Sequence, residues 1–330
     1  YCQRRHRCLI MGVRSLGNSL STFKNKFGRT GNKTTPPIIS SGGTKVEDAN
    51  YVYHVFTHPN SDTFTSDTAV PAFYLVVAGG GTGGSNSGGG GGAGGAYSNH
   101  PDVPSPIRQS ALNITAGTTY PITVGNGGAN SAIGPSVITA QAGGTGGDTE
   151  SNGTGGGSGG GGGNDYQPQS TTAGSASPPG QGNPGGRQIG PAPGTSGGGG
   201  GGGWGEAGYS TGSVPSPEEP KRGEGGAGRA LPSLPAPLLA PAIPAPERSA
   251  WTAAVGPTGL FAGGGGGHVD FADGPNPDNG GAGGGGHGQN PQNATGETPG
   301  VYGTGGGGGG GTPTGQPGGS GIVIIWYPKS

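Results

Sequence analysis

The chain has 330 residues, of which 86 are glycine and 32 proline, while only 27% are hydrophobic and 10% charged. That profile excludes a conventional apolar core along the whole length, and glycine is too irregularly spaced for a collagen triple helix. A net charge of −1 removes the electrostatic case for nucleic acid or an anionic membrane surface, and no stretch approaches the roughly 20 apolar residues of a membrane span.

Residues 1–10 precede the only methionine, Met11, and are read as a leader outside the protein proper, so that Cys2 and Cys8 say nothing about redox compartment. Residues 11–33 form a basic segment in which Leu16, Leu20, Phe23 and Phe27 recur at helical spacing before Gly28 and Gly31 end the pattern. Such an apolar stripe is either a frayed arm or a peptide that attaches the chain to a larger partner. Residues 34–47, with Pro36-Pro37 and Gly42-Gly43, are a linker.

Strand signals follow. Tyr51–Thr57 is aromatic and β-branched, Thr63–Thr65 reads as a short return from it, and Ala72–Ala78 reads as a buried strand that runs into Gly79. Leu112–Thr115 and Thr119–Val124 are expected to pair as a hairpin about Ala116-Gly117, with Pro121 keeping the second strand at a sheet edge. Val137–Ala140 adds a short strand. The most hydrophobic stretch of the chain, Ile322–Tyr327, comes at the far end and is expected to pair with the strands around 50–78. The fold class is therefore mostly β: a small antiparallel sandwich of 48–142 closed by a C-terminal strand within 320–328. Residues 143–319 are then a glycine-rich insert in that sheet.

Six glycine runs stand out: Gly88–Gly92, Gly159–Gly163, Gly197–Gly203, Gly263–Gly267, Gly283–Gly286 and Gly305–Gly311. Glycine costs a helix interior about 1 kcal/mol relative to alanine and gives a sheet no side chain to pack. Polyglycine II, the extended three-residue helix rising about 3.1 Å per residue, suits the runs better: seven glycines span roughly 20 Å, and parallel neighbours can satisfy every backbone group. The alternative for the insert is a disordered chain.

Between the runs lie segments of different composition. Trp204, Tyr209, Trp251, Phe261, His268, Phe271, His287 and Tyr302 are the candidate contact residues, because aromatic rings with a polar handle suit binding tips. Residues 231–246, rich in Pro, Leu and Ala, break with both flanks and read as an apolar spacer or a stretch in a shifted reading frame. His54 and His58 share a strand face, and His268, Asp270 and Asp273 cluster, but histidines and acids so placed are more often surface or packing residues than metal ligands. No nucleophile–base set and no nucleotide-binding glycine motif in its strand–helix context is found, so neither an enzyme nor a cofactor is expected.

The order Tyr53-His-Val-Phe-Thr57, Phe73-Tyr-Leu-Val-Val-Ala-Gly-Gly-Gly81, Leu112-Asn-Ile-Thr-Ala-Gly117, Ile122-Thr-Val-Gly-Asn-Gly-Gly128 and Gly319-Ser-Gly-Ile-Val-Ile-Ile-Trp-Tyr-Pro328 resembles the glycine-rich domain of tailed-bacteriophage tail fibres and virion structural proteins. Met11–Asn18 and Phe27–Thr30 look like the start of cyanophage-type members. The insert is similar in style to the distal tail-fibre adhesins of T-even phages, in which polyglycine-II segments present receptor-binding loops. The resemblance implies an extracellular virion adhesin, monomeric or trimeric at a fibre tip. Its partners would be a bacterial surface glycan or outer-membrane protein and other virion tail proteins, with no nucleic acid and no membrane insertion. A virion structural or decoration protein is the alternative, and an extracellular matrix or ice-binding protein a second.

Overall fold

Alternation of β-branched and aromatic residues decides the sheets in the computed structural model, which describes residues 37–59, 62–134, 137–165, 170–189, 197–212, 221–269, 279–291 and 296–329. The proposed leader and attachment segment, with Leu16, Leu20, Phe23 and Phe27, lie outside the described residues, as do Asp270, Phe271 and Asp273. The first ten strands are β1 (Ser40–Ser41), β2 (Thr44–Glu47), β3 (Tyr51–Thr57), β4 (Asp62–Ser66), β5 (Val70–Val77), β6 (Ala96–Ser98), β7 (Leu112–Ile114), β8 (Tyr120–Thr123), β9 (Ser131–Ile133) and β10 (Ile138–Ala140). Short pieces follow: β11 (Gln188–Ile189), β12 (Thr211–Gly212), β13 (Arg229–Ala230), α1 (Ala236–Leu239), a 3-10 turn (Ala240–Ala242), α2 (Arg248–Val255) and β14 (Leu260–Phe261). The last strand is β15 (Ile322–Pro328).

The protein is mostly β, with antiparallel sheets closed by the C-terminal strand, as expected. A six-stranded sheet runs β2-β3-β15-β5-β6 with β7 added to β5, and a five-stranded sheet runs β1-β4-β8-β9-β10. Strand β15 fills the gap between β3 and β5: Ile324 faces Val55 on one side and Leu75 on the other, and Trp326 faces Tyr53 and Phe73. Side chains alternate across a strand, so an apolar run buried on both faces needs a layer on each side. Val323, Ile325 and Tyr327 point toward the second sheet, whose Phe64, Ile122 and Ile133 are buried. The His54 and Phe64 rings meet edge to face there at 5.0 Å.

Local pairing differs from expectation. Thr63–Thr65 does not return along Tyr51–Thr57; β4 pairs with β1 and β8 in the second sheet, where the fully buried Phe64 reaches the space between the sheets. Leu112–Thr115 and Thr119–Val124 do not form a hairpin either, because β7 pairs with β5 while β8 lies between β4 and β9. Pro121 is thus in an interior strand. Its carbonyl accepts the Gly134 amide, just past the end of β9, so the missing N–H falls where the ladder has run out.

The other face of the six-stranded sheet is covered by 229–261, which contains the proline-rich segment read as a spacer or frame shift. It is instead a third layer: Leu231, Leu234, Leu239, Ile243, Trp251, Val255 and Phe261 pack in one cluster with Tyr53, Val55, Leu75, Val77, Ile322, Ile324 and Trp326. The β13–β14 pair closes its base. Prolines preset the backbone at the start of α1. Gly256, with φ of 60°, ends α2 while its amide bonds the Thr252 carbonyl.

Candidate functional site: the far end of the glycine array

The glycine segments hydrogen-bond in steps of three residues. In the central segment the amides of Gly89, Gly92 and Gly95 donate to Gly147, Gly144 and Gln141; those of Gly90 and Ala93 donate to Gly199 and Gly202; those of Gly91 and Gly94 donate to Gly308 and Gly305. The same segment accepts, again every third residue, from Ala78, Gly81 and Gly84, from Ser158, Gly161 and Asn164, and from Gly265 and His268. One strand-like segment therefore has six neighbours, three as donors and three as acceptors, some parallel and some antiparallel. Residues 158–164, 197–204 and 262–269 are surrounded in the same manner. At most positions only glycine permits this spacing: a Cβ on Gly91 would stand under 3.0 Å from the Gly81 carbonyl oxygen, and one on Gly307 equally close to that of Gly91. Residues 79–95 belong to this array as well, so it is not confined to 143–319.

The array rests on the apolar layers at one end, where Val77, Ala93, Trp204, Phe261 and Ala262 are buried. Its other end carries tight polar turns. Asn86 and Ser87 adopt φ of 51° and 67°, and Glu150 adopts 56°, the left-handed region that asparagine tolerates best among side-chain-bearing residues. The turns are laced together. Asp148 Oδ1 accepts the Ser85 amide at 2.7 Å, Thr149 Oγ1 donates to the Asn86 carbonyl, Thr312 Oγ1 accepts the Ser87 amide at 2.8 Å, and Gln289 Oε1 accepts the Thr312 amide at 2.7 Å. Exposed Asn86, Asp148, Glu150, Asn152 and Thr312 thus project from a cross-linked base. The residues bounding 166–169, 190–196, 213–220, 270–278 and 292–295 lie toward this same end, as the hydrogen-bond ladders of their segments show. The arrangement offers fixed donors and acceptors.

The structure moves the expected contact residues. Trp204, Trp251, Phe261 and His268 are at most 2% exposed and offer no face to a partner. Trp204 lies under the Arg229 guanidinium, 5.5 Å from its ring, and Trp251 donates its indole N–H to the Gly303 carbonyl at 3.0 Å while packing on Phe261. His268 is one of the array's own links, its amide bonded to Gly88. Their burial has a plain cause: the layer over the six-stranded sheet needs large apolar side chains, and the tryptophans of the interrun segments supply them. Tyr302 is half-buried, its hydroxyl donating to the His58 carbonyl. Tyr209 is half-exposed on the flank, with the Lys221 ammonium 4.7 Å from its ring centre. His287 is exposed, its amide bonded to Thr298 Oγ1. Phe271 falls outside the described residues.

The two histidines read as sharing a face do not converge. His54 is buried between the sheets, its Nδ1 2.6 Å from the Gly42 carbonyl and its Nε2 2.8 Å from Ser40 Oγ, and burial lowers its pKa. His58 lies past the end of β3 and turns Nδ1 toward the Val124 carbonyl. Among the described residues no group of three His, Cys, Asp or Glu could hold a metal, and no helix is long and apolar enough to cross a membrane. The turns at 85–87, 148–151 and 312–314 were not singled out from the sequence; their signal is a run of three to five residues, polar or proline, set between glycines.

A family model described as a glycine-rich domain matches residues 59–328. No curated protein and no solved structure matches the chain.

Proposed function

The chain belongs to the glycine-rich domain family, and on that premise we propose that it is a bacteriophage virion adhesin that reads a bacterial surface receptor with the far end of its glycine array. In this reading the glycine segments are polyglycine-II helices; the three-residue hydrogen-bond step and six-neighbour packing support that assignment. The observation that carries the function is the set of polar turns at 85–87, 148–151 and 312–314, cross-linked to one another at the end opposite the sheets. Such a scaffold holds variable polar tips on a rigid base, and many weak copies on one particle would supply avidity. Asn86, Glu150, Asn152 and Thr312 take the place of the buried aromatics as contacts.

The test is adsorption of fluorescently labelled protein to a panel of bacteria. Strain-selective binding is expected, reduced at least tenfold when Asn86 and Glu150 are together replaced by glycine, which keeps their left-handed backbone, with the unfolding temperature preserved. A folded protein that binds no strain, or whose binding ignores those substitutions, would favour the structural or decoration role.

A further inference from the structure

At the end of the six-stranded sheet remote from the array, a slot of about 380 Å³ lies between the sheet and the proline-rich layer, within the size range of small-molecule sites, about 300–1,000 Å³. Tyr53 and Trp326 lie buried beneath it as cross-strand partners, their rings nearly parallel, 19° apart at 6.1 Å, and the half-buried Tyr51, 6.3 Å from Tyr53, is the ring that reaches the slot. Pro235 and Leu238 of the layer form the opposite wall.

The polar lining mixes acceptors with donors. Asp48 is fixed by three bonds: Oδ1 accepts the amides of Asn50 and Tyr51, each at 2.7 Å, and Oδ2 accepts the Tyr53 hydroxyl at 2.7 Å. Asn50 brings an exposed side-chain amide. Ser233 is set by its own amide, which donates to Asp102 Oδ2 at 3.0 Å, and its hydroxyl lies 3.3 Å from His100 Nδ1. A bare organic cation would call for acceptors alone, and a purely apolar ligand for neither kind. A ring with one C–H face and a rim of hydroxyls uses all of them.

We propose that this slot binds a single neutral pyranose ring, its C–H face against Tyr51 and Leu238 and its hydroxyls on Asp48, Asn50 and Ser233. The site is separate from the array end, so it stands or falls independently of the adsorption result.

Saturation-transfer NMR on the full chain, with glucose, galactose, mannose and N-acetylglucosamine as probes and glycerol and tetramethylammonium as controls, tests it. We expect saturable millimolar binding of at least one sugar, transferred from aromatic protons and weakened at least tenfold in both Tyr51→Ala and Leu238→Trp. The second variant fills the slot without removing an aromatic residue, and both are checked for folding by circular dichroism. Absence of saturable binding by all four sugars overturns the proposal. So does sugar binding unaffected by either folded variant, or binding of tetramethylammonium in preference to the sugars.

Discussion

At the scale of single residues, the array replaces side-chain packing with backbone contact, and its sensitivity follows. Gly91→Ala or Gly307→Ala places a methyl group against a carbonyl oxygen with rigid glycine segments behind it. Either should cost about 3 kcal/mol, at the upper end of overpacking, measured as a fall in thermal unfolding midpoint. Gly296, where nothing lies within 4 Å of a built Cβ, should accept alanine within about 0.5 kcal/mol. Buried His54 and half-buried His100 set a pH dependence. Burial depresses the pKa of His54, and burial outweighs the Asp102 carboxylate to depress that of His100. The unfolded chain, with histidine near about 6.5, therefore binds protons at a pH where the folded chain does not. Stability is full above that pH and is lost as the pH falls below it. Urea midpoints should drop between pH 7.5 and 5.5, and His54→Gln should flatten the drop.

At the scale of elements, the layer of 229–261 is as much a part of the core as the sheet beneath it. Trp251→Ala should cost about 3–5 kcal/mol, as large core truncations do. The loss should show in thermal unfolding, whereas a receptor-contact role would predict lost adsorption from an intact fold. This layer was the part least legible in the sequence. Its buried positions, Leu231, Leu234, Ala236, Leu239, Ala242 and Ile243, are separated by prolines that obscure any helical period, and the break in composition invited a reading as foreign sequence. By contrast, the place of Ile322–Tyr327 was legible, because six consecutive apolar residues could be covered only by strands on both edges and layers on both faces. The glycine runs were legible as segments of one device, but not their limits. Thr82 and Thr145 interrupt them with exposed side chains and Ala93 with a methyl group in the apolar cluster, so neither kind of interruption breaks the ladder.

At the scale of the whole molecule, two kinds of cohesion are joined end to end. Ordering glycine is costly, about 1–2 kcal/mol of backbone entropy per residue and more for glycine than for any other type. A backbone hydrogen bond returns a net of about 0.5–1.5 kcal/mol. An array held by such bonds alone is marginal, which explains why its segments end on Val77, Trp204, Phe261 and Ile322 rather than standing free. Hydrogen exchange should report the coupling: the amides of Gly90–Gly92 and Gly264–Gly265 are expected to exchange as slowly as those of β15, with the turns at 85–87 and 148–151 far faster. Fast exchange throughout the glycine segments, with a protected β15, would mean that the array opens independently of the sheets.

The position of β15 also governs when the molecule can come into being. β3 and β5 are parallel to each other and one strand apart, and the strand that joins them follows only after the whole glycine array. At about 5–20 residues per second, a ribosome leaves that slot open for tens of seconds while the glycine segments emerge. Throughout synthesis the most adhesive edges of the nascent chain wait for a partner still to be translated. A chain broken before β15 yields no smaller version of this protein, only a sheet with its middle missing.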